Sequence, residues 1–320
     1  MIWIAVDAMG GDEAPRNIVD GALAATRHFD LGVLLVGQAR AIERELAQHS
    51  EVDGGVDRSR VRIVDTPDVV GMEESPSAAL RRKPGSSIKV AAEAVARSEA
   101  SALVSAGHTG ATVMAAHAAF GMLPGVDRPA LAATIPRPQR PAILLDVGAS
   151  VECRPPHLVQ FAVMGGVYAR VAFGIEAPRV GLLSIGEEAT KGNELTREAH
   201  RLLKASTLSF IGNVEARDVY SGKADVIVCD GFTGNVALKV SEGLVEVLAD
   251  FLTEDFRRRV DYSEYGGAPL LGVAGVTIVG HGRSSAKAVQ NAVALAHRFA
   301  AARFIERVER EIAAAAVSHQ

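Results

Sequence analysis

The residues best suited to chemistry lie in six short stretches, each placed where an apolar run ends. Asp7-Ala8-Met9-Gly10-Gly11-Asp12 follows the apolar run 2–6, and Ala106-Gly107-His108-Thr109-Gly110-Ala111 follows 102–105. Asp146-Val147-Gly148-Ala149-Ser150 follows 143–145, and Gly186-Glu187-Glu188 follows 180–185. Asp230-Gly231-Phe232-Thr233-Gly234-Asn235 follows 226–229, and Gly280-His281-Gly282 follows 276–279. Glycine at such a point lets backbone N–H groups come close to a ligand. A helix N-terminus just beyond adds unpaired donors and partial positive charge, which suit a small anion. Glycine is also common at strand–helix turns for backbone reasons alone, so any one stretch could be only a turn. Six of one type, expected on one edge of one sheet, point to a site.

Single side chains carry sharper and blander readings. Lys191, in Gly186-Glu187-Glu188-Ala189-Thr190-Lys191-Gly192-Asn193, could hold a phosphate oxygen as a point charge or be an exposed lysine near a helix start. Thr233 and Asn235 could donate to a developing oxyanion or cap a helix. His108 and His281 could donate protons or contact an anion, or be structural. Cys229 lies inside an apolar run, where an inert buried thiol is the expected form. There is no P-loop, no G-x-G-x-x-G after the first strand and no G-x-S-x-G elbow. The pattern suits a small anion better than a nucleotide.

The elements that must position these residues alternate. Short β-branched runs at 2–6, 33–36, 61–64, 102–105, 131–135, 143–145, 180–185, 209–211, 226–229 and 276–279 predict strands. Helical patterns at 17–27, 39–48, 86–97, 109–120, 156–172, 194–205 and 284–316 lie between them. Continuous apolar strands separated by helices predict a three-layer α/β/α fold with a largely parallel sheet. No linker divides the chain, so residues 1–320 are expected to form one domain. The Gly- and charge-bearing loop 51–59 and the Ala-rich end 313–320 are expected to be loose. The stretches 106–111 and 230–235 echo each other, suggesting two loops built for one task.

Composition bounds the function. With 320 residues, 48% of them hydrophobic, the chain can bury a large core. Its 34 Lys and Arg against 38 Asp and Glu give a net charge of -4, the wrong sign for a phosphate-gripping nucleic-acid binder. Two distant cysteines offer neither a redox pair nor a zinc site and fit a reduced cytosolic compartment. The N-terminal run has no basic lead and does not read as a signal peptide, and no run reaches the ~20 apolar residues of a span. Over 244–260, within a helical segment expected at 241–262, Leu244, Leu248, Phe251, Leu252 and Phe256 share one helical face. That face predicts a core or dimer helix, with peripheral membrane contact as the alternative. Arg81-Arg82-Lys83 reads as a solvated surface or as a receiver for an acidic partner.

Taken together, these motifs resemble the bacterial acyl-carrier-protein:phosphate acyltransferases of phospholipid synthesis. The matching runs are 7–12, 105–111, 144–149, 181–184 with Lys191-Gly192-Asn193, Gly212-Asn213-Val214-Glu215-Ala216-Arg217-Asp218, 230–239, 261–268 and His281-Gly282, in order over nearly the whole chain. The resemblance implies a fold like the isopropylmalate dehydrogenases and phosphotransacetylases, a homodimer, and no cofactor or metal. It implies that acyl-carrier-protein thioester and inorganic phosphate give acyl phosphate and free carrier, feeding a membrane glycerol-3-phosphate acyltransferase. Lys191 and Asn235 would be catalytic. Asp7, Gly10, Gly11, Gly107, His108, Thr109, Gly110, Asp146, Asp230, Thr233, Gly234 and His281 would line the substrate and phosphate site. Arg81, Arg82 and Lys83 lie in a stretch that matches only loosely, and their charge alone makes them the expected receiver of the carrier. His108 and Ser150 stand where the family usually has Asn. The chain is also shorter between Leu252 and Asp261 than many relatives, which use a longer hairpin there to touch membrane.

Phosphorolysis of a thioester needs no triad, because phosphate is the nucleophile and the thiol leaves readily, with a pKa of about 8.5. Rival readings are a nicotinamide-dependent dehydrogenase on a related fold, a non-catalytic peripheral membrane adaptor, and an acyl-coenzyme A phosphotransferase.

Overall fold

The computed structural model describes residues 1–49, 57–137, 139–248 and 262–317. In chain order it holds β1 (Ile2–Asp7), α1 (Arg16–His28), β2 (Leu31–Gly37), α2 (Ala39–His49), β3 (Val61–Asp65), α3 (Pro76–Arg82), α4 (Ser87–Ala96), β4 (Ala102–Ser105) and α5 (Thr109–Phe120). There follow β5 (Ala130–Ile135), β6 (Ala142–Leu145), α6 (Pro155–Phe173), β7 (Val180–Leu183), α7 (Glu194–Ala205), β8 (Phe210–Val214), β9 (Val226–Val228) and α8 (Gly231–Leu248). The chain ends with β10 (Ala268–Leu271), β11 (Val276–Val279), α9 (Ala286–Ala301) and α10 (Phe304–Val317).

These elements sort into two compact units. One comprises Met1–Gly121, Ser263–Pro269 and Val273–Ala302, the other Met122–Tyr262, Leu270–Gly272 and Arg303–Gln320. The chain passes between them several times, which is why no single linker is visible in the sequence.

The first unit is built on parallel strands in the order β3-β2-β1-β4-β11. The path β1-α1-β2-α2-β3 runs one way, and β4 is then laid on the other side of β1. Right-handed crossovers therefore place α1 and α2 on one face and α4 on the other. Helix α9 packs on α1, and α5 packs on α4. Strand β2 is buried at every residue, as its unbroken apolar sequence requires.

In the second unit, which takes the Leu270–Leu271 end of β10, the order is β10-β5-β6-β9-β7-β8. Strands β6, β9, β7 and β8 are parallel, and β5 is antiparallel to both β6 and β10. Helix α6 is apolar almost all round. It is buried from His157 to Ala169 except at Gln160, because it packs against β6 and β9 as well as α7 and α10.

Most sequence-predicted elements form, with shifts of a residue or two. The helix predicted over 284–316 is two helices, because Arg303 takes a left-handed φ of 50° and ends the run. Strand β10 and helix α3 escaped the periodicity reading, as both are too short to show a period. Helix α8 starts at Gly231, so Thr233 and Asn235 lie in its first turn. The predicted loose loop 51–59 and the amphipathic segment 244–260 lie outside the described residues over 51–56 and 249–260, and the chain end does so over 318–320.

Candidate active site

Three of the six glycine-bearing stretches fall in each unit. Because β1, β4 and β11 are parallel neighbours, the loops after them share one rim, as do those after β6, β9 and β7. In the first unit the strand order turns back at β1 and β4, and the carboxyl ends at such a switch point are where open α/β sheets bind ligands.

The first group is organised by Asp7, which is 3% exposed. Its Oδ2 accepts the Ser105 hydroxyl at 2.8 Å, its Oδ1 accepts the Met9 amide at 3.4 Å, and Ser87 also bonds to it. Burial pushes the Asp7 carboxyl up, against the pull of these donors. Ser105 Oγ in turn accepts the Gly107 amide at 3.2 Å. The two loops are so close that a Cβ on Gly10 would lie 2.5 Å from Asp7 Oδ2 and 2.8 Å from Gly107 N, so no larger residue fits. The third loop joins through the Asp12 amide, which donates to Gly282 O at 2.8 Å. Asp7, Met9, Gly10, Val69, Val70, Ser87, Ile88, Gly107, His108 and Ala111 line a pocket of ≈ 10 Å³, about what one water molecule requires.

His108 caps α5, its Nδ1 accepting the Gly110 amide at 3.1 Å. In the neutral ring the proton is then on Nε2. Thr109 is exposed at the first position of α5. His281 Nδ1 likewise accepts the Arg283 amide at 3.1 Å. Arg81 and Arg82 are exposed, each Nε bonded to its own helix backbone. Lys83 is committed elsewhere: its Nζ donates to Val69 O at 2.7 Å and pairs with Glu74, so it staples the 69–74 loop.

The second group is organised by Asp146, which is fully buried. Its carboxylate accepts amides from Leu131 at 2.7 Å, Gly148 at 3.1 Å, Ala149 at 3.0 Å and Ser150 at 2.6 Å. Burial pushes its carboxyl up, and the four donors oppose that. Asp146 is thus consumed in shaping its loop. Helix α8 docks on this loop through its glycines. A Cβ at Gly234 would lie 1.9 Å from Asp146 O, and one at Gly231 would lie 2.6 Å from Asp146 Oδ2. Asp230 caps α8, accepting the Thr233 amide at 2.9 Å and the Thr233 hydroxyl at 2.7 Å. Asn235 is exposed, and its Nδ2 donates to Val147 O at 3.0 Å, which leaves a second N–H. The echo between 106–111 and 230–235 therefore has a structural meaning: each starts a helix at a strand end with a side-chain cap.

Lys191 is exposed on the loop after β7, and among the described residues its ammonium has no acidic partner. The thiols are poor nucleophiles: burial pushes Cys153 up to about 11 and Cys229 well above its ordinary 9.0. Among the described residues no cluster of three or more His, Cys, Asp or Glu is placed to hold a metal, and no helix is long and apolar enough to cross a membrane. Sequence reasoning missed Ser87 and gave Ser105 no role. The only signal was position: Ser87 lies at the start of a predicted helix, and Ser105 precedes a loop already singled out. It also missed the apolar wall of Val69, Val70 and Ile88, which pairing in sequence could not reveal.

The family model described as "Fatty acid synthesis protein" matches residues 2–307. The chain belongs to that family. It is 47% identical to a phosphate acyltransferase of Pelotomaculum thermopropionicum, over 97% of this chain and 94% of that one. It is 48% identical to a phosphate acyltransferase of Nitratidesulfovibrio vulgaris, over 97% and 95%. Among solved structures, a phosphotransacetylase from Streptococcus pyogenes matches with a TM-score of 0.69 and 16% identity, covering 94% of each chain. A 4-hydroxythreonine-4-phosphate dehydrogenase from Klebsiella pneumoniae matches with a TM-score of 0.58 and 13% identity, over 93% of this chain and 99% of that one. These likenesses show the fold, a three-layer α/β/α arrangement on a mainly parallel sheet. His108 and Ser150 have local duties here. His108 caps as an Asn would, and Ser150 Oγ donates to Pro129 O at 2.8 Å.

Proposed function

We propose that this protein is a phosphate acyltransferase that moves a fatty acyl group from acyl-carrier protein to inorganic phosphate, as one α/β domain over residues 1–320. The observation that carries this reading is the near-full-length identity to proteins named phosphate acyltransferase. Phosphate attacks the thioester carbonyl, a tetrahedral oxyanion forms, and the C–S bond breaks as the carrier's thiol takes the proton that hydrogen phosphate brought. The catalytic tasks are holding phosphate near the carbonyl and stabilising the oxyanion.

Lys191 takes phosphate in this reading, since its charge is exposed and unspent among the described residues. Asn235 faces the oxyanion with its second N–H. Thr233 is less suited to donate, because its hydroxyl hydrogen goes to Asp230. Arg81 and Arg82 remain available to an acidic carrier, whereas Lys83 does not.

Helix α8 supports a homodimer. Phe232, Val236, Val240, Leu244 and Leu248 recur every fourth residue and are exposed, Val240 at 65% and Leu244 at 57%. An apolar stripe of this length is normally covered. A peripheral membrane contact, placing the product beside a membrane glycerol-3-phosphate acyltransferase, is the second use of the same stripe. The protein is otherwise read as cytoplasmic.

The test is thiol release from long-chain acyl-carrier protein with and without phosphate, with hydroxylamine trapping the acyl phosphate. Release that does not depend on phosphate would end the proposal. Lys191→Ala should lose most turnover at limiting phosphate while remaining folded. A near-normal rate would remove Lys191 from the site.

A further inference from the structure

We infer that Asn213, on β8, is the positioning residue for Lys191. The inference rests on the reading of Lys191 as the phosphate-holding cation.

Residues 188–191 form a tight turn closed by the Lys191 amide, which donates to Glu188 O at 3.0 Å. The same carbonyl accepts a second hydrogen bond, from Asn213 Nδ2 at 2.9 Å. The anchor and Lys191 thus meet on one oxygen. Asn213 is only 3% exposed, so its end of this bond is shielded from competing water. With its Nδ2 turned to Glu188, its Oδ1 faces His200 on α7, whose Nδ1 must then donate, at 2.9 Å. His200 is held edge-on to Phe210, with ring centroids 5.1 Å apart. Each atom of the amide therefore has one partner, which fixes its orientation.

The strand is shaped to make this contact. The register between β7 and β8 shifts between Val180 and Gly181: Val180 faces Phe210, yet Gly181 faces Gly212. Ile211 is the extra residue, and Gly212 takes a φ of 98°. Without it Leu182 would face Gly212. With it Leu182 faces Asn213, and side chains beyond the bulge change face. Nearer the surface, Lys223 holds Glu187 at 2.8 Å and Arg197 donates to Gly192 O at 2.9 Å.

The experiment is a double-mutant cycle on the full-length enzyme, with thiol release measured against phosphate and against acyl-carrier-protein thioester. Asn213→Ala should lower kcat/KM for phosphate by up to about 10²-fold, the usual effect of a small misplacement, and leave KM for the thioester unchanged. Asn213→Asp, which keeps the acceptor for His200 but has no N–H for Glu188, should fail similarly. In a Lys191→Ala background Asn213→Ala should change the rate by less than about twofold. Exchange of the Lys191 amide should quicken in Asn213→Ala. Equal losses in both backgrounds, an unaltered Lys191 amide, or a full rate in either Asn213 variant each overturn the inference and leave the Lys191 reading intact. A Lys191→Ala enzyme at full rate removes both. If Asn213→Ala does not fold, His200→Ala, which frees the amide to turn, is measured in the same cycle and must show the same dependence on Lys191.

Discussion

Replacing Gly234 by alanine should both destabilise the protein and slow it, whereas the same change at Gly243 in the same helix should do neither. A Cβ at Gly234 would lie 1.9 Å from Asp146 O, 2.8 Å from Cys229 Sγ and 3.0 Å from Asp146 C. An ordinary C···O approach is about 3.3 Å, so the first turn of α8 or the 146–150 loop must move by roughly 1.4 Å. Neither partner yields easily, because the blocking atom is backbone and Asp146 is tied by four amides. Overpacking of this kind costs about 1–3 kcal/mol, or ~2–4 °C in Tm per kcal/mol for a chain of moderately large size. The same movement carries Asn235 with it, so thiol release should fall by up to about 10²-fold. At Gly243 a Cβ would meet nothing within 4 Å. Alanine there should stabilise by about 0.5–1 kcal/mol through helix propensity. Differential scanning calorimetry and the thiol assay, run on both variants, decide the matter. A Gly234→Ala enzyme with parental Tm and rate would show that α8 does not press on Asp146 as described.

Three further outcomes are expected. Although burial alone would raise it, Asp225 is held below its ordinary 3.8 by hydrogen bonds and charge from Arg179, with Arg140 adding to them. A depressed carboxylate adds stability above that value and loses it as the pH falls through the lower folded value. Asp225→Asn should therefore cost about 2–3 kcal/mol at neutral pH in urea titration, less than a fully buried pair because both arginines are partly exposed, and progressively less as the pH falls below 3.8. A constant cost across pH would refute the ion-pair account. Both thiols should resist iodoacetamide at pH 8 in the folded enzyme, and Cys153→Ala with Cys229→Ala should keep phosphate-dependent turnover. Loss of turnover with an intact fold would reopen a thiol mechanism. Val240→Lys with Leu244→Lys should leave Tm nearly unchanged, since both side chains are exposed, but weaken self-association in sedimentation or binding to anionic vesicles. No change in either would free the stripe from both uses.

The strand–helix alternation and the six glycine-bearing strand ends are legible in the chain. Both follow from local rules: apolar runs covered on two faces read continuously, and a turn that must pass close to another backbone admits little but glycine. The sequence also nominates Lys191 and Asn235 as candidates, because an ordered set of motifs over most of the chain is specific even where each is weak. How the side chains are used is set by packing between distant segments. Asp7 and Asp146 look alike in sequence, each at a strand end before glycines. Yet Asp146 is saturated by four backbone amides, while Asp7 holds two hydroxyls beside a small pocket. Lys83 reads as a free cation and proves paired with Glu74. Asn213 reads as one residue of a motif and proves to anchor a loop some 25 residues away in sequence. Such roles depend on which groups from distant segments meet and on what burial removes from water, and neither quantity has a local signature in the chain.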